Sequence, residues 1–165
     1  MFILPALFAF VLVVLVPAVK GFYYSFTDWN GIGKNAVFVG ISNYGKLLSD
    51  SRFWNSFLFT FVFAICSVIC INAVGFGLPL VAPAFAIGLF LSISDSFKMF
   101  DQNLSLTGGE PMHQTEMMAL NIYDTFYGRV GYEGVGQAKA VIFFIIVVAI
   151  GMIQLYATKS KEVQQ

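Results

Sequence analysis

The 165 residues are 58% hydrophobic and only 11% charged, with a mean hydropathy of +0.80. A soluble domain is about half apolar and about a quarter charged, so this chain lacks the polar surface of a water-facing globule, and its composition is that of an integral membrane protein. Nine Lys and Arg balance nine Asp and Glu, which leaves no charge excess pointing to nucleic acid or an acidic substrate.

A membrane helix needs about 20 mostly apolar residues to cross about 30 Å of hydrocarbon. Residues 2–19 are the first such run, free of charge and closed by Lys20. Pro5 falls where a missing N–H costs little, and Pro17 lies in the last turn, where it ends or bends the helix. A secretory signal is the rival reading. It is weakened by the absence of Lys or Arg before the run and of a small-x-small pattern after it.

The polar stretch 20–53 opens with Phe22, Tyr23, Tyr24, Phe26 and Trp29 and closes with Phe53, just before Trp54 opens the next span, an arrangement typical of an interfacial aromatic belt. "DWNGIGKN" reads as a turn and "AVFVGI" as a short extended piece; "GIGK" lacks the upstream glycine of a phosphate-binding loop. The second span is 54–74. Its Cys66 and Cys70 have no His or acidic neighbour at ligand spacing, so they read as small polarizable residues rather than a metal or redox site. Asn72, near its far end, suits a hydrogen bond to a neighbouring helix, and also counts as a candidate for a transport pathway.

One helix through 54–97 is excluded by length. Gly75 and Gly77 supply a turn, and Pro79 opens a third span, 78–97. Late in that span stand Ser92, Ser94 and Asp95. An ionisable group at membrane depth is a pathway candidate by default, although Asp95 also suits the outer interface, close to Lys98 and Asp101. The stretch 98–137 holds the turn "LTGGEP" and then "HQTEMMALNIYDTFY". There Met117, Leu120, Tyr123 or Asp124, and Tyr127 recur at helical spacing, as in an amphipathic helix at the membrane surface. His113 is solitary and reads as an exposed loop residue. Asn103-Leu104-Ser105 has the form of a glycosylation acceptor, a triplet that arises readily by chance. Residues 138–156 form the fourth span.

The expected architecture is therefore all-α: a single multi-pass membrane domain of about four transmembrane helices, with long loops at 20–53 and 98–137. No nucleophile–base pair, metal cluster or nucleotide motif appears, so neither an enzyme nor a bound cofactor is expected. Orientation is divided by charge. Lys159 and Lys161 favour a cytoplasmic C-terminus, whereas Lys20, Lys34, Lys46 and Arg52 in one loop, with Lys98, Arg129 and Lys139 in or beside the other, favour the reverse.

Several ordered phrases resemble the permease subunits of bacterial carbohydrate-importing ABC transporters. "FILPALFAF…PAVKGFYYSFTDWNGIG" and "FVGISNYGKLLSDSRFWNS" resemble the family's first helix, first external loop and second helix. "LPLVAPAFAIGLFLSISDSFKMFD" and "LTGGEPMHQTEMMALNIYDTFYGRVGYEGVGQAKAVIFFIIV" resemble its last two helices and the loop between them. The resemblance covers nearly the whole chain. It implies a multi-pass protein of the bacterial inner membrane with both termini inside and both long loops outside. It also implies a second permease subunit, an ATPase subunit that binds the ATP, and an extracytoplasmic solute-binding protein as partners, besides membrane lipid. The loop at Gly108–Pro111 would lie near the surface on which that binding protein docks.

One departure stands out. In the family, two further helices and a cytoplasmic coupling loop precede the "LPL.AP" phrase; that loop carries a Glu-Ala-Ala signature and docks on the ATPase. Here no acidic or basic residue lies between Ile71 and Leu78, and only Leu78, Pro79, Leu80 and Pro83 remain of the motif. Two helices of about 20 residues with their loops amount to something on the order of a hundred missing residues. An even number of lost crossings preserves the orientation of the downstream spans. The resemblance thus implies a permease-type subunit, shortened and without its ATP-coupling lever. The alternative is a small helical membrane protein acting by interaction, or an inert remnant.

Overall fold

The computed structural model describes residues 3–33, 36–75, 92, 95–97 and 99–162. Among them are six named helices: α1 Ile3–Tyr24, α2 Ser42–Leu48, α3 Ser51–Gly75, α4 Phe100–Leu106, α5 Met118–Tyr127 and α6 Glu133–Glu162. The described residues contain no strand. The extended piece expected after the first loop forms a single antiparallel bridge, Thr27 to Phe38. The protein is an all-α membrane protein.

Among the described residues, three helices are long and apolar enough to cross a membrane: Ile3–Tyr24, Ser51–Ile71 and Glu133–Ile153. They correspond to the first, second and fourth runs in the sequence. The third, 78–97, lies almost wholly outside the described residues.

Each helix begins or bends for a local reason. In α1, residues Val11–Leu15 form a π turn, and the Val16 N–H reaches back to the Val11 carbonyl. Pro17 has no N–H to donate, and its ring crowds the carbonyl four residues earlier, inside that wide turn. The helix then continues past Lys20 to Tyr24, and none of its residues is buried. α3 starts at Ser51 because Asp50 caps it: Asp50 Oδ1 accepts the Arg52 N–H at 3.0 Å. α6 starts at Glu133, five residues before the continuous apolar run. Gly134 and Gly136 are poor helix formers, but a side chain at either would collide with its surroundings.

The chain falls into two compact units, Met1–Ser49 with Ile122–Ile142, and Asp50–Asn121 with Phe143–Gln165. In the first, the segment after α1 folds onto α2. The buried Asn43 donates from Nδ2 to the carbonyls of Ser25 and Thr27, both at 2.9 Å. Ser25 Oγ lies 2.8 Å from the Tyr44 hydroxyl. Tyr24 stacks on Trp29 at 4.2 Å, and Trp29 leans on Phe126 at 6.5 Å. Gly134 closes this unit: a Cβ there would stand 2.4 Å from the Thr27 carbonyl oxygen. Lys139, counted in the sequence among loop charges, is completely buried and donates from Nζ to Thr125 Oγ1 at 2.8 Å.

Candidate functional site

The second unit contains the most concentrated buried polar chemistry among the described residues. Arg52, Ser56 and Thr60 recur every four residues on α3, which puts them on one face of the helix. All three bind residues 116–118, where the connection from α4 enters α5. Arg52 grips Glu116 with a two-pronged fork: Nε donates to Oε2 at 2.6 Å and Nη2 to Oε1. Glu116 is wholly buried and Arg52 is partly exposed. Oε2 also accepts from Asn121 Nδ2 at 3.3 Å and Ser56 Oγ at 3.4 Å, and His113 Nδ1 lies 3.8 Å away. One turn further along α3, Thr60 Oγ1 accepts the Met118 N–H at 2.8 Å and donates to the Ser56 carbonyl at 2.8 Å.

A second clasp shapes the same segment. Asn103 at the centre of α4 donates from Nδ2 to the Thr115 carbonyl at 2.7 Å and to Thr107 Oγ1 at 3.1 Å, and its Oδ1 accepts the Met117 N–H at 2.9 Å. With its amide so engaged, and the residue buried, Asn103 is not a presented glycosylation acceptor. Gly108 and Gly109 take φ of +57° and +87°, a region glycine enters freely, and a Cβ on Gly109 would press on Glu116 Cβ at 3.2 Å.

Thr60 stands nine residues after Ser51, about 13 Å along the helix axis at 1.5 Å per residue. Residues 116–118 therefore lie along α3 within the length of that span, whereas 107, 108 and 110–114 are exposed. The helix expected in "HQTEMMALNIYDTFY" forms as α5; Met117 and Leu120 of the expected stripe are buried, but the rest of the buried face differs. Met118, Asn121 and Thr125 point inward because Glu116 and Lys139 bind the two polar ones, while the rings of Tyr123 and Tyr127 face out. His113 is half exposed, as its solitary position suggested.

The pathway candidates from the sequence are only partly within view. Ser92 is half-buried, and its carbonyl accepts Ser96 Oγ at 2.7 Å; Asp95 is exposed. The Phe97 ring lies 6.3 Å from Phe143, which stands ten residues into the Glu133–Ile153 span. Ser94, the side chain of Asn72, and Leu78, Pro79, Leu80 and Pro83 lie outside the described residues. Cys66 and Cys70 are both free and exposed.

Sequence reading missed Arg52, Ser56, Thr60, Glu116 and Asn121 as a cluster. The available signal was the pair of hydroxyl residues, spaced by four, directly below an arginine in an otherwise apolar run. The arrangement itself is a clamp. It fixes the register of segment 107–118 on α3 through a planar, bidentate, low-dielectric ion pair.

No family model matches the chain. It is similar to the probable starch degradation products transport system permease protein AmyD of Thermoanaerobacterium thermosulfurigenes: 30% identical over 278 residues, covering 99% of this chain and 94% of that one. A match of 278 residues to a chain of 165 leaves more than a hundred positions of AmyD opposite no residue here. The probable ABC transporter permease protein y4oQ of Sinorhizobium fredii is 36% identical over 96 residues, 56% of this chain and 31% of that one. The trehalose/maltose transport system permease protein MalF of Thermococcus litoralis is 31% identical over 78 residues, 47% of this chain and 26% of that one. These relatives are transport permeases rather than enzymes. With its apolar spans and a relative matched nearly end to end, this cell-membrane protein belongs to the permease subunits of sugar-importing ABC transporters.

Proposed function

We propose that this permease subunit is internally shortened between Gly75 and Leu78 and does not couple ATP hydrolysis to sugar uptake. The observation that carries the reading is the excess of more than a hundred AmyD positions over this chain. It equals the length of two membrane helices with their loops. The uncharged seam "AVGFGLPL" is where the family resemblance leads directly into the phrase that comes after the coupling loop.

In this reading the chain keeps its outer helices and the clamped segment 107–118, but has no lever to transmit closure of an ATPase dimer. Its partners are a second permease subunit, an extracytoplasmic solute-binding protein and membrane lipid; ATP belongs to a separate ATPase subunit, and the chain itself holds no cofactor and catalyses nothing. The substrate class is a short oligosaccharide of glucose, by analogy with the starch-product and trehalose/maltose names of two relatives. Asn72, Ser92, Ser94 and Asp95 are the polar groups proposed to face the solute path, because polar groups in apolar spans are costly unless they serve one.

Co-purification tests the coupling claim. An affinity-tagged chain, co-expressed with the ATPase of its own system and no second permease, is expected not to retain the ATPase. Stoichiometric retention of the ATPase would overturn the claim.

A further inference from the structure

In the first unit, two cations from separate segments meet at one ring. Lys46 stands in the last turn of α2, and Arg129 in the link between α5 and α6. The Lys46 ammonium lies 5.9 Å from the centre of the Tyr132 ring, and the Arg129 guanidinium 6.0 Å from it. Lys46 is exposed, and so is the Tyr132 ring at 43%. Among the described residues neither cation has an acidic partner at ion-pair distance. Glu133, the next residue after Tyr132, is buried and pairs with neither.

The ring stands at the membrane boundary. α6 enters its membrane-crossing length at Glu133, one residue after Tyr132, and α1 completes its own at Tyr24. These two ends are level within the unit. A Cβ on Gly21 would stand 2.8 Å from Gln137 Oε1, and one on Gly134 2.4 Å from the Thr27 carbonyl oxygen. Tyr132 therefore lies at headgroup depth, where interfacial tyrosines collect.

Two like charges gathered at one exposed ring repel each other, and the negative face of the ring offsets that only in part. An anion there neutralises both. An ammonium and a planar guanidinium fork are the two donors that suit a phosphate. We propose that Lys46, Arg129 and Tyr132 hold the phosphate of an anionic phospholipid, in the leaflet where α1 ends and α6 begins. A zwitterionic lipid fits worse, because its own cation is repelled by the pair.

Native mass spectrometry of the protein in nonionic detergent tests this, with equal amounts of phosphatidylglycerol and phosphatidylcholine carrying the same acyl chains. The parent should retain phosphatidylglycerol in preference. A cation near the membrane surface contributes about five-fold to anionic-lipid binding, so Lys46→Gln and Arg129→Gln should each lower the preference about five-fold. The double variant should lower it about twenty-five-fold, with far-UV helicity unchanged. Equal retention of the two lipids by the parent, or a double variant with the parent's preference, overturns the proposal. So does displacement of the bound lipid by inorganic phosphate at constant ionic strength, which would make the occupant a free anion. A double variant that keeps the lipid preference but loses its solute-binding protein overturns it as well, and assigns the cations to an acidic protein face.

Discussion

Replacing Arg52 with methionine keeps most of the stem's volume and removes the fork that neutralises Glu116. The carboxylate is completely buried, and the bonds at hand in its place are long: Ser56 Oγ at 3.4 Å and Asn121 Nδ2 at 3.3 Å. Stripping one partner from a buried pair leaves an uncompensated charge, at a cost of about 3–5 kcal/mol. The solvent-facing side of Arg52 lowers this toward 3 kcal/mol, about a hundred-fold in the folding equilibrium. Removing both charges is a different perturbation. Arg52→Met with Glu116→Met replaces the pair by apolar volume, and such swaps are often neutral or stabilising. Reversible unfolding in mixed micelles should therefore rank parent and double variant close together, with Arg52→Met well below both. Equal stability of Arg52→Met and parent, or a double variant no better than Arg52→Met, would refute the clamp.

Asn43→Ala removes two hydrogen bonds and orphans the Ser25 and Thr27 carbonyls, at an expected cost of about 2 kcal/mol in the same unfolding assay. Gly134→Ala drives a methyl to 2.4 Å from the Thr27 oxygen and should cost about 2–3 kcal/mol, read as a lowered melting temperature and faster proteolysis between α1 and α2. Ile32 is almost fully exposed at the tip of the first loop, so Ile32→Cys in a background lacking Cys66 and Cys70 should react with a membrane-impermeant maleimide on intact cells. Labelling only after lysis would reverse the orientation that the family resemblance implies.

Three of the four expected spans were legible because an apolar run long enough to cross a bilayer has few other uses. Their starts were less so. Asp50 caps α3 ahead of the apolar stretch, and the glycines at 134 and 136 read as loop until the backbone that needs their small size is placed beside them. The charge count included two residues that do not sit as exposed loop charges. Arg52 and Lys139 both entered the tally of loop charges, yet one is paired with Glu116 and the other is buried against Thr125. Neither is free to bias insertion as an exposed loop charge does. The clamp itself was hidden because its partners lie about sixty residues apart, and local pattern carries no record of such pairing.

A sugar permease without a coupling lever cannot relay the arrival of sugar to an ATPase. The most direct test is ATP hydrolysis in proteoliposomes containing this chain, its second permease subunit, its ATPase and its solute-binding protein, with and without sugar. The expected rate is one that sugar and binding protein leave unchanged. Sugar-stimulated hydrolysis that depends on this chain would contradict the loss of coupling.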